Sequence, residues 1–202
     1  SNGDKVTKGG WYHINYDNMV FVTGGGSHYV KERIYKASGI FRMYSFNDSK
    51  KSWNMNKNLW KDTGRKLMYF DGSGTCTILY DQASNILYRY ISSSKSYKRV
   101  SNVIDKLNGS RYYFYDANGN RRTSSGWKKV NGSTAYYVCD GGYVTSRYTD
   151  QKGTKKVYNF DYSKNTWVQK KNMWKTVYSS RYYFGSNGVA TISYNNNTQK
   201  AY

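Results

Sequence analysis

Residues 109–138 read GSRYYFYDANGNRRTSSGWKKVNGSTAYYV. Tyr112, Tyr113 and Phe114 are strand formers, because aromatic side chains fit a pleated, half-buried surface. Asn118-Gly119 ends that run. Residues 126–130 (GWKKV) resume it, Asn131-Gly132 ends it again, and Ala135, Tyr136, Tyr137 and Val138 return. Asn-Gly between such runs is the strongest short-range hairpin signal, since a type I′ turn needs positive φ at both central residues. The stretch therefore predicts consecutive hairpins with type I′ turns at the Asn-Gly pairs.

The same punctuation extends outward. Asn-Gly recurs at 2–3, 108–109 and 187–188, and Asp-Gly at 71–72 and 140–141. Short aromatic runs parted by turns every few residues indicate an all-β chain: a meander, sandwich, barrel or solenoid. Residues 100–107 are the one stretch read as a short helix. Isolated hairpins are marginal in water, so each must bury its aromatic face against the next.

Composition supports that reading. Val, Ile, Leu and Phe make up 33 of 202 residues, a fraction that with a net charge of +20 ordinarily marks disorder. The 24 Tyr and 6 Trp reverse the expectation. Each aromatic can bury roughly 150–250 Å², so rings are expected to replace the missing aliphatic core. Proline is absent altogether, which argues against a long extended linker. No run of apolar residues is long enough for a membrane helix.

The chain is internally duplicated. Thr7, Gly10 and Trp11 return as Thr123, Gly126 and Trp127, 116 positions on. Tyr44, Phe46, Ser49, Lys50 and Trp53 return as Tyr158, Phe160, Ser163, Lys164 and Trp167, now 114 positions on. Lys57-Asn58-Leu59-Trp60-Lys61 returns as Lys171-Asn172-Met173-Trp174-Lys175, and Tyr69-Phe70 as Tyr183-Phe184. All six tryptophans obey this register. Two units follow, residues 1–117 and 118–202, the second incomplete; residues 89–117 have no second counterpart. Because the second copy stops at Tyr202, equivalent to Tyr88, a longer parent protein that continues the array is expected. Cys76 and Cys139 are not repeated, so they are expected to be incidental; a bridge between them is left open.

Residues 109–138 also resemble the aromatic cell-wall-binding repeats of Gram-positive surface proteins, which include choline-binding repeats and the glucan-binding repeats of glucansucrases. Tyr112-Tyr113-Phe114, Asn118-Gly119, Gly126-Trp127 and Tyr136-Tyr137 fall in the family's order, and Tyr182-Tyr183-Phe184 with Asn187-Gly188 gives a second, partial match. The richness in Lys, Tyr and Asn is similar to Lactobacillus-type surface adhesins. The resemblance implies tandem hairpins stacked as an elongated, solenoid-like array, secretion to the bacterial surface, and non-catalytic binding of wall glycans.

A net charge of +20 favours polyanionic partners. Basic residues sit beside the repeated rings, so the candidate ligand-binding residues are Trp60, Lys61, Arg65, Tyr69, Arg111, Tyr113, Arg121, Arg122, Trp127, Lys128, Lys129, Trp174, Lys175, Arg181 and Tyr183. Alternation along strands would let one sheet face bury rings while the other presents cations. The tryptophans fit two roles, core or ligand platform; Trp53 and Trp60, like Trp167 and Trp174, are seven apart, so one of each of these pairs is expected to be exposed. An anionic cell-wall polymer or polysaccharide, such as teichoic or lipoteichoic acid, is the partner the resemblance favours. Host glycosaminoglycan is the alternative, as for an adhesin. Nucleic acid ranks last, because no RNP motif, helix-turn-helix or zinc knuckle is present. A spacer that grips the wall nonspecifically is the third reading.

Catalysis has no visible machinery. Glu32 is the only glutamate, His13 and His28 are the only histidines, and there is no CxxC or GxSxG. Gly24-Gly25-Gly26 lacks the ending of a phosphate loop. Asp71 and Asp116 sit in turn-like settings where Asp caps backbone amides. No enzyme activity, cofactor or metal site is expected.

Overall fold

The structure, a computed structural model, describes residues 6–25, 28–109 and 111–202; Asn2-Gly3 and Gly26 lie outside the described residues. The chain divides into two compact units that part between Arg99 and Val100, ahead of the boundary at 117/118 that the repeat register sets.

The first unit contains two five-stranded antiparallel meanders. One runs β1 (Gly10–His13), β2 (Asn18–Val22), β3 (Val30–Ala37), β4 (Ile40–Asn47) and β5 (Ser52–Met55). The other runs β6 (Leu59–Asp62), β7 (Lys66–Phe70), β8 (Cys76–Asp81), β9 (Ile86–Ile91) and β10 (Ser96–Arg99). The second unit opens with a three-stranded sheet, β11 (Val103–Lys106), β12 (Tyr112–Tyr115) and β13 (Arg121–Arg122). A five-stranded meander follows, β14 (Gly126–Lys129), β15 (Thr134–Val138), β16 (Val144–Gln151), β17 (Thr154–Asp161) and β18 (Thr166–Gln169). Last comes a four-stranded sheet, β19 (Met173–Val177), β20 (Ser180–Phe184), β21 (Ala190–Asn195) and β22 (Lys200–Ala201). The chain is all-β, and within each sheet neighbours in sequence are neighbours in space.

The duplication is visible strand by strand. β1 and β2 correspond to β14 and β15, offset by 116, and β3 to β9 correspond to β16 to β22, offset by 114. The two extra residues lie in the β2–β3 connection. There Thr23 donates its N–H to the Tyr29 carbonyl across a longer loop than Cys139 spans to reach Tyr143. A third, shorter copy sits at β11–β12. Ile104 pairs with Phe114 as Trp60 pairs with Tyr69 and Trp174 with Tyr183. Asn58, Asn102 and Asn172 precede these three strands with φ near 50°. Each donates its N–H to the loop opposite, at Asp71, Asp116 and Gly185. Residues 89–117 therefore do contain a counterpart, unseen by its tryptophans because Ile104 stands where the others have Trp.

Within residues 100–107 no helix forms, and Val103–Lys106 make strand β11. Val100, Val103, Ile104 and Leu107 repeat at helical spacing, but Val103 and Ile104 are β-branched and have Tyr115 and Phe114 to pair with. The turn chemistry also differs from expectation. Among the described residues, the two-residue loops with positive φ at both positions are Ser38-Gly39 (52° and 83°) and Lys152-Gly153 (51° and 83°), not Asn-Gly pairs. At Asn118-Gly119 and Asn187-Gly188 only the glycine is left-handed, at 77° and 75°. It closes a wider loop: Gly119 N–H reaches Asp116 O, and Asp116 N–H reaches Asn120 O, both at 3.0 Å. Gly74 and Gly142 close matching loops. Asp116 Oδ1 accepts from Asn118 and Asn120 N–H, as Asp71 Oδ1 does from Ser73 and Thr75.

The core holds fewer rings than composition implies. In the first unit Met19, Ile34 and Met43 lie side by side across β2, β3 and β4, with Phe41, Met68, Phe70, Cys76 and Leu79 in the same cluster. The corresponding row in the second unit is Ala135, Tyr148 and Val157, packed with Val177 and Phe184. Smaller neighbours make room for the larger Tyr148, so the copies keep packing with different side chains, as close-packed interiors require. None of the six tryptophans is buried, and of the tyrosines only Tyr80, Tyr115 and Tyr148 are, among the described residues. Methionine and aliphatic residues with phenylalanine fill the centre; most Tyr and Trp rings lie half-buried around it. Cys76 and Cys139 are both free. Burial pushes the Cys76 thiol up to about 12, so it packs as an inert apolar group.

Candidate functional site

In the second unit β14 begins at Gly126, whose φ is 119°, and carries Trp127, Lys128 and Lys129. Trp127 is held by three contacts. Its indole N–H donates to the Thr176 carbonyl at 2.9 Å, Tyr137 meets it edge-on across the strand pair at 5.5 Å, and Tyr148 lies 6.4 Å away. Tyr178, in the β19–β20 turn, stands beside the same indole at 6.5 Å and is half exposed.

The β12–β13 hairpin supplies the opposite wall. Asp116 spends Oδ1 on the loop amides, and its Oδ2 pairs with Arg122 Nε at 2.9 Å. Phe114 is buried beneath. Between these elements lies a shallow groove of about 490 Å³, lined by Asp116, Asn118, Arg122, Trp127, Lys128, Lys129 and Tyr178, with Asn102, Phe114 and Ala117. Lys128 Nζ donates to Ser124 Oγ at 3.1 Å, and Lys129 is exposed. Rings, three cations and the Asp116 carboxylate that pairs with one of them thus meet in one depression. Such a surface can stack the C–H face of a sugar and oppose an anionic substituent.

The other candidates fall elsewhere. Arg121 lies 4.1 Å from the Tyr113 ring and Arg111 4.3 Å from Tyr143. Trp174 packs on Tyr183 at 5.4 Å with Arg181 over its ring at 5.0 Å. Lys175 lies 5.6 Å from Tyr137. In the first unit Trp60 packs on Tyr69 at 5.3 Å, while Lys61 pairs with Glu32 at 2.5 Å and lies 5.2 Å from Trp11. Arg65 lines a separate cavity of about 340 Å³ with His13, Asn15, Tyr16, Lys66, Asp81 and Ala83. There Lys66 Nζ donates to the Tyr16 carbonyl at 2.6 Å, and burial pulls its pKa down against the raising pull of Asp17 and Asp81. The structure therefore gathers Arg122, Trp127, Lys128 and Lys129 in one groove and joins others only in smaller contacts, Trp174 with Arg181 and Tyr183, Trp60 with Tyr69, and Arg121 with Tyr113.

Cations and rings do not separate onto opposite sheet faces. They interleave in stacks. Arg33 lies over Trp53 and Tyr44 at 4.4 and 5.3 Å, and its duplicate Arg147 over Trp167 and Tyr158 at 5.0 and 4.5 Å. Among the described residues Arg33 Nε and Arg147 Nε are buried without an acceptor. Sequence reading passed over both arginines and Tyr178, although the repeat register marks all three. Arg33 and Arg147 are 114 apart, and Tyr178 stands where the first copy has Gly64.

Among the described residues no three His, Cys, Asp or Glu side chains gather as metal ligands. No helix is long and apolar enough to cross a membrane.

No family model matches the chain. Over 226 aligned residues it is 26% identical to glucosyltransferase-I of Streptococcus downei, covering 93% of this chain and 13% of that protein. Among solved structures it superposes on alternansucrase in complex with isomaltononaose at 16% identity and a TM-score of 0.25, over 96% of this chain and 16% of the other. It superposes on the pneumococcal cell-wall endolysin of phage Cp-1, complexed with choline, at 16% identity and a TM-score of 0.26, over 95% and 39%. With TM-scores this low neither superposition bears on the fold. What the sequence comparison adds is likeness to one stretch of a much longer streptococcal glucosyltransferase.

Proposed function

We propose that this chain is a non-catalytic carbohydrate-binding module of a secreted bacterial surface protein, and that it holds an anionic cell-wall glycopolymer such as teichoic acid, lipoteichoic acid or a charged wall polysaccharide. Its hairpins stack as a solenoid-like array, and its two copies, residues 1–117 and 118–202, add avidity by linking weak sites. The groove around Trp127 carries the reading, because it unites two rings with Arg122, Lys128 and Lys129 in a chain of net charge +20. The resemblance of residues 109–138 to aromatic wall-binding repeats supports it.

Likeness to glucosyltransferase-I favours a second reading, a neutral glucan held by the rings alone. Pull-down on purified Gram-positive walls separates the two, with parallel samples stripped of teichoic acid and with dextran or heparin as competitor. Binding that disappears on stripping is the expected result. Binding that survives stripping but yields to dextran establishes the neutral glucan instead, and competition by heparin alone moves the partner to a host sulfated glycan. Retention on none of these polymers removes a carbohydrate role.

A further inference from the structure

The β6–β7 and β19–β20 turns are duplicates. Thr63, Gly64, Arg65 and Lys66 correspond to Val177, Tyr178, Ser179 and Ser180 at the offset of 114. In both the first central residue has positive φ, 77° at Gly64 and 54° at Tyr178. Glycine meets that requirement without steric cost, whereas a bulky side chain there is an outlier whose Cβ crowds the backbone. Among the described residues the twelve left-handed non-glycine positions comprise six Asn, three Lys, a Ser, a Gln and Tyr178, the only aromatic.

The strain secures little burial. Tyr178 is 50% exposed, and its contact with Trp127 is a tilted one at 6.5 Å, near the outer limit for ring pairs. What the position does achieve is to set a half-exposed ring in the lining of the groove that Arg122, Lys128 and Lys129 also line. Partial burial pushes the Tyr178 phenol up, so it remains a neutral donor at physiological pH.

We infer that Tyr178 is a ligand-contacting ring, kept in an unfavourable backbone conformation so that it and Trp127 clasp a sugar whose phosphate or sulfate substituent meets Arg122, Lys128 and Lys129. The first copy, with Gly64 in this place, lacks that ring. The two copies are therefore not equivalent in binding, and affinity is concentrated in the second. This rests on the glycopolymer reading.

The test compares the full chain with Tyr178→Gly and Tyr178→Phe. Each is titrated with purified lipoteichoic acid and, separately, with heparin, which distinguishes the phosphate source from the sulfate source; thermal melting is followed in parallel. Tyr178→Gly should weaken binding of one polymer about 3- to 10-fold, the range a lost ring contact gives. Its melting midpoint should stay level or rise, because glycine relieves the strain. Tyr178→Phe should bind as the parent does. Unchanged affinity in Tyr178→Gly overturns the inference and leaves the glycopolymer reading standing. A lowered midpoint in Tyr178→Gly also overturns it, by making the ring a packing residue. Failure of the unaltered chain to bind either polymer removes the underlying reading instead.

Discussion

Arg33 and Arg147 show how single side chains shape this surface. Each guanidinium lies within 5.3 Å of rings drawn from its own sheet, with its buried Nε unpaired. A planar, weakly hydrated guanidinium suits that setting; the compact, strongly hydrated ammonium of lysine does not. Arg33→Lys and Arg147→Lys should each lose about 0.5–1 kcal/mol of stability, the scale of such contacts, as read from urea denaturation. An unchanged denaturation midpoint in both variants would show that the stacks are incidental. These arginines were legible only through duplication. Neither adjoins a repeated tryptophan in sequence, as Lys61, Lys128 and Lys175 do. In a sheet the partner of Arg147 is Tyr158 across the strand pair, a relation that needs register to be seen.

At the scale of the element, identical dipeptides behave differently. Gly119 is left-handed at 77°, while Gly132, also preceded by Asn, is not left-handed and its would-be Cβ faces open space. Gly188 is left-handed too, and a Cβ there would come within 2.1 Å of Gln169 Nε2. Gly119→Ala and Gly188→Ala should each cost about 1–2 kcal/mol, whereas Gly132→Ala should stay within about 0.5 kcal/mol. Equal losses at all three positions in thermal melts would contradict the turn assignment. The places of the hairpins were readable because Gly, Asn and Asp punctuate aromatic runs. Their turn types were not, since a five-residue loop closed by left-handed glycine and a type I′ turn share the same letters. Residues 100–107 misled for a related reason: four apolar residues at helical spacing also suit a short strand whose partner lies beyond the local window.

At the scale of the molecule, 12 acidic side chains cannot balance 32 basic ones, and the excess works against compactness. Acid should sharpen this. For Asp71 burial raises the pKa, but hydrogen bonds from the Ser73 hydroxyl and the loop amides outweigh it. For Asp161 the Ser163 hydroxyl and the amides of Lys164 and Ser163 hold the carboxyl down. Carboxyls whose folded pKa lies below the unfolded value, about 3.9, contribute stability that is fully present above that pH. It is lost as pH falls through the depressed folded value. The melting midpoint should therefore drop below about pH 4, and added salt should restore part of it by screening the cations. A midpoint that is flat into acid would show that turn capping and charge balance matter little. The charge and the duplicated hairpins were plain from composition and spacing. The groove was not, because its walls come from positions as far apart as Asp116 and Tyr178, joined only by tertiary packing.

Every sheet here is built from strands that follow one another directly along the chain. Among the described residues a single bridge, Lys156 to Val189, joins strands outside this sequential order, so loop-closure entropy is small at nearly every step and assembly can be rapid. With no proline anywhere, no peptide bond imposes a slow isomerisation. A polypeptide of this kind, threaded end-first through a narrow passage, can close each meander as soon as its last strand emerges.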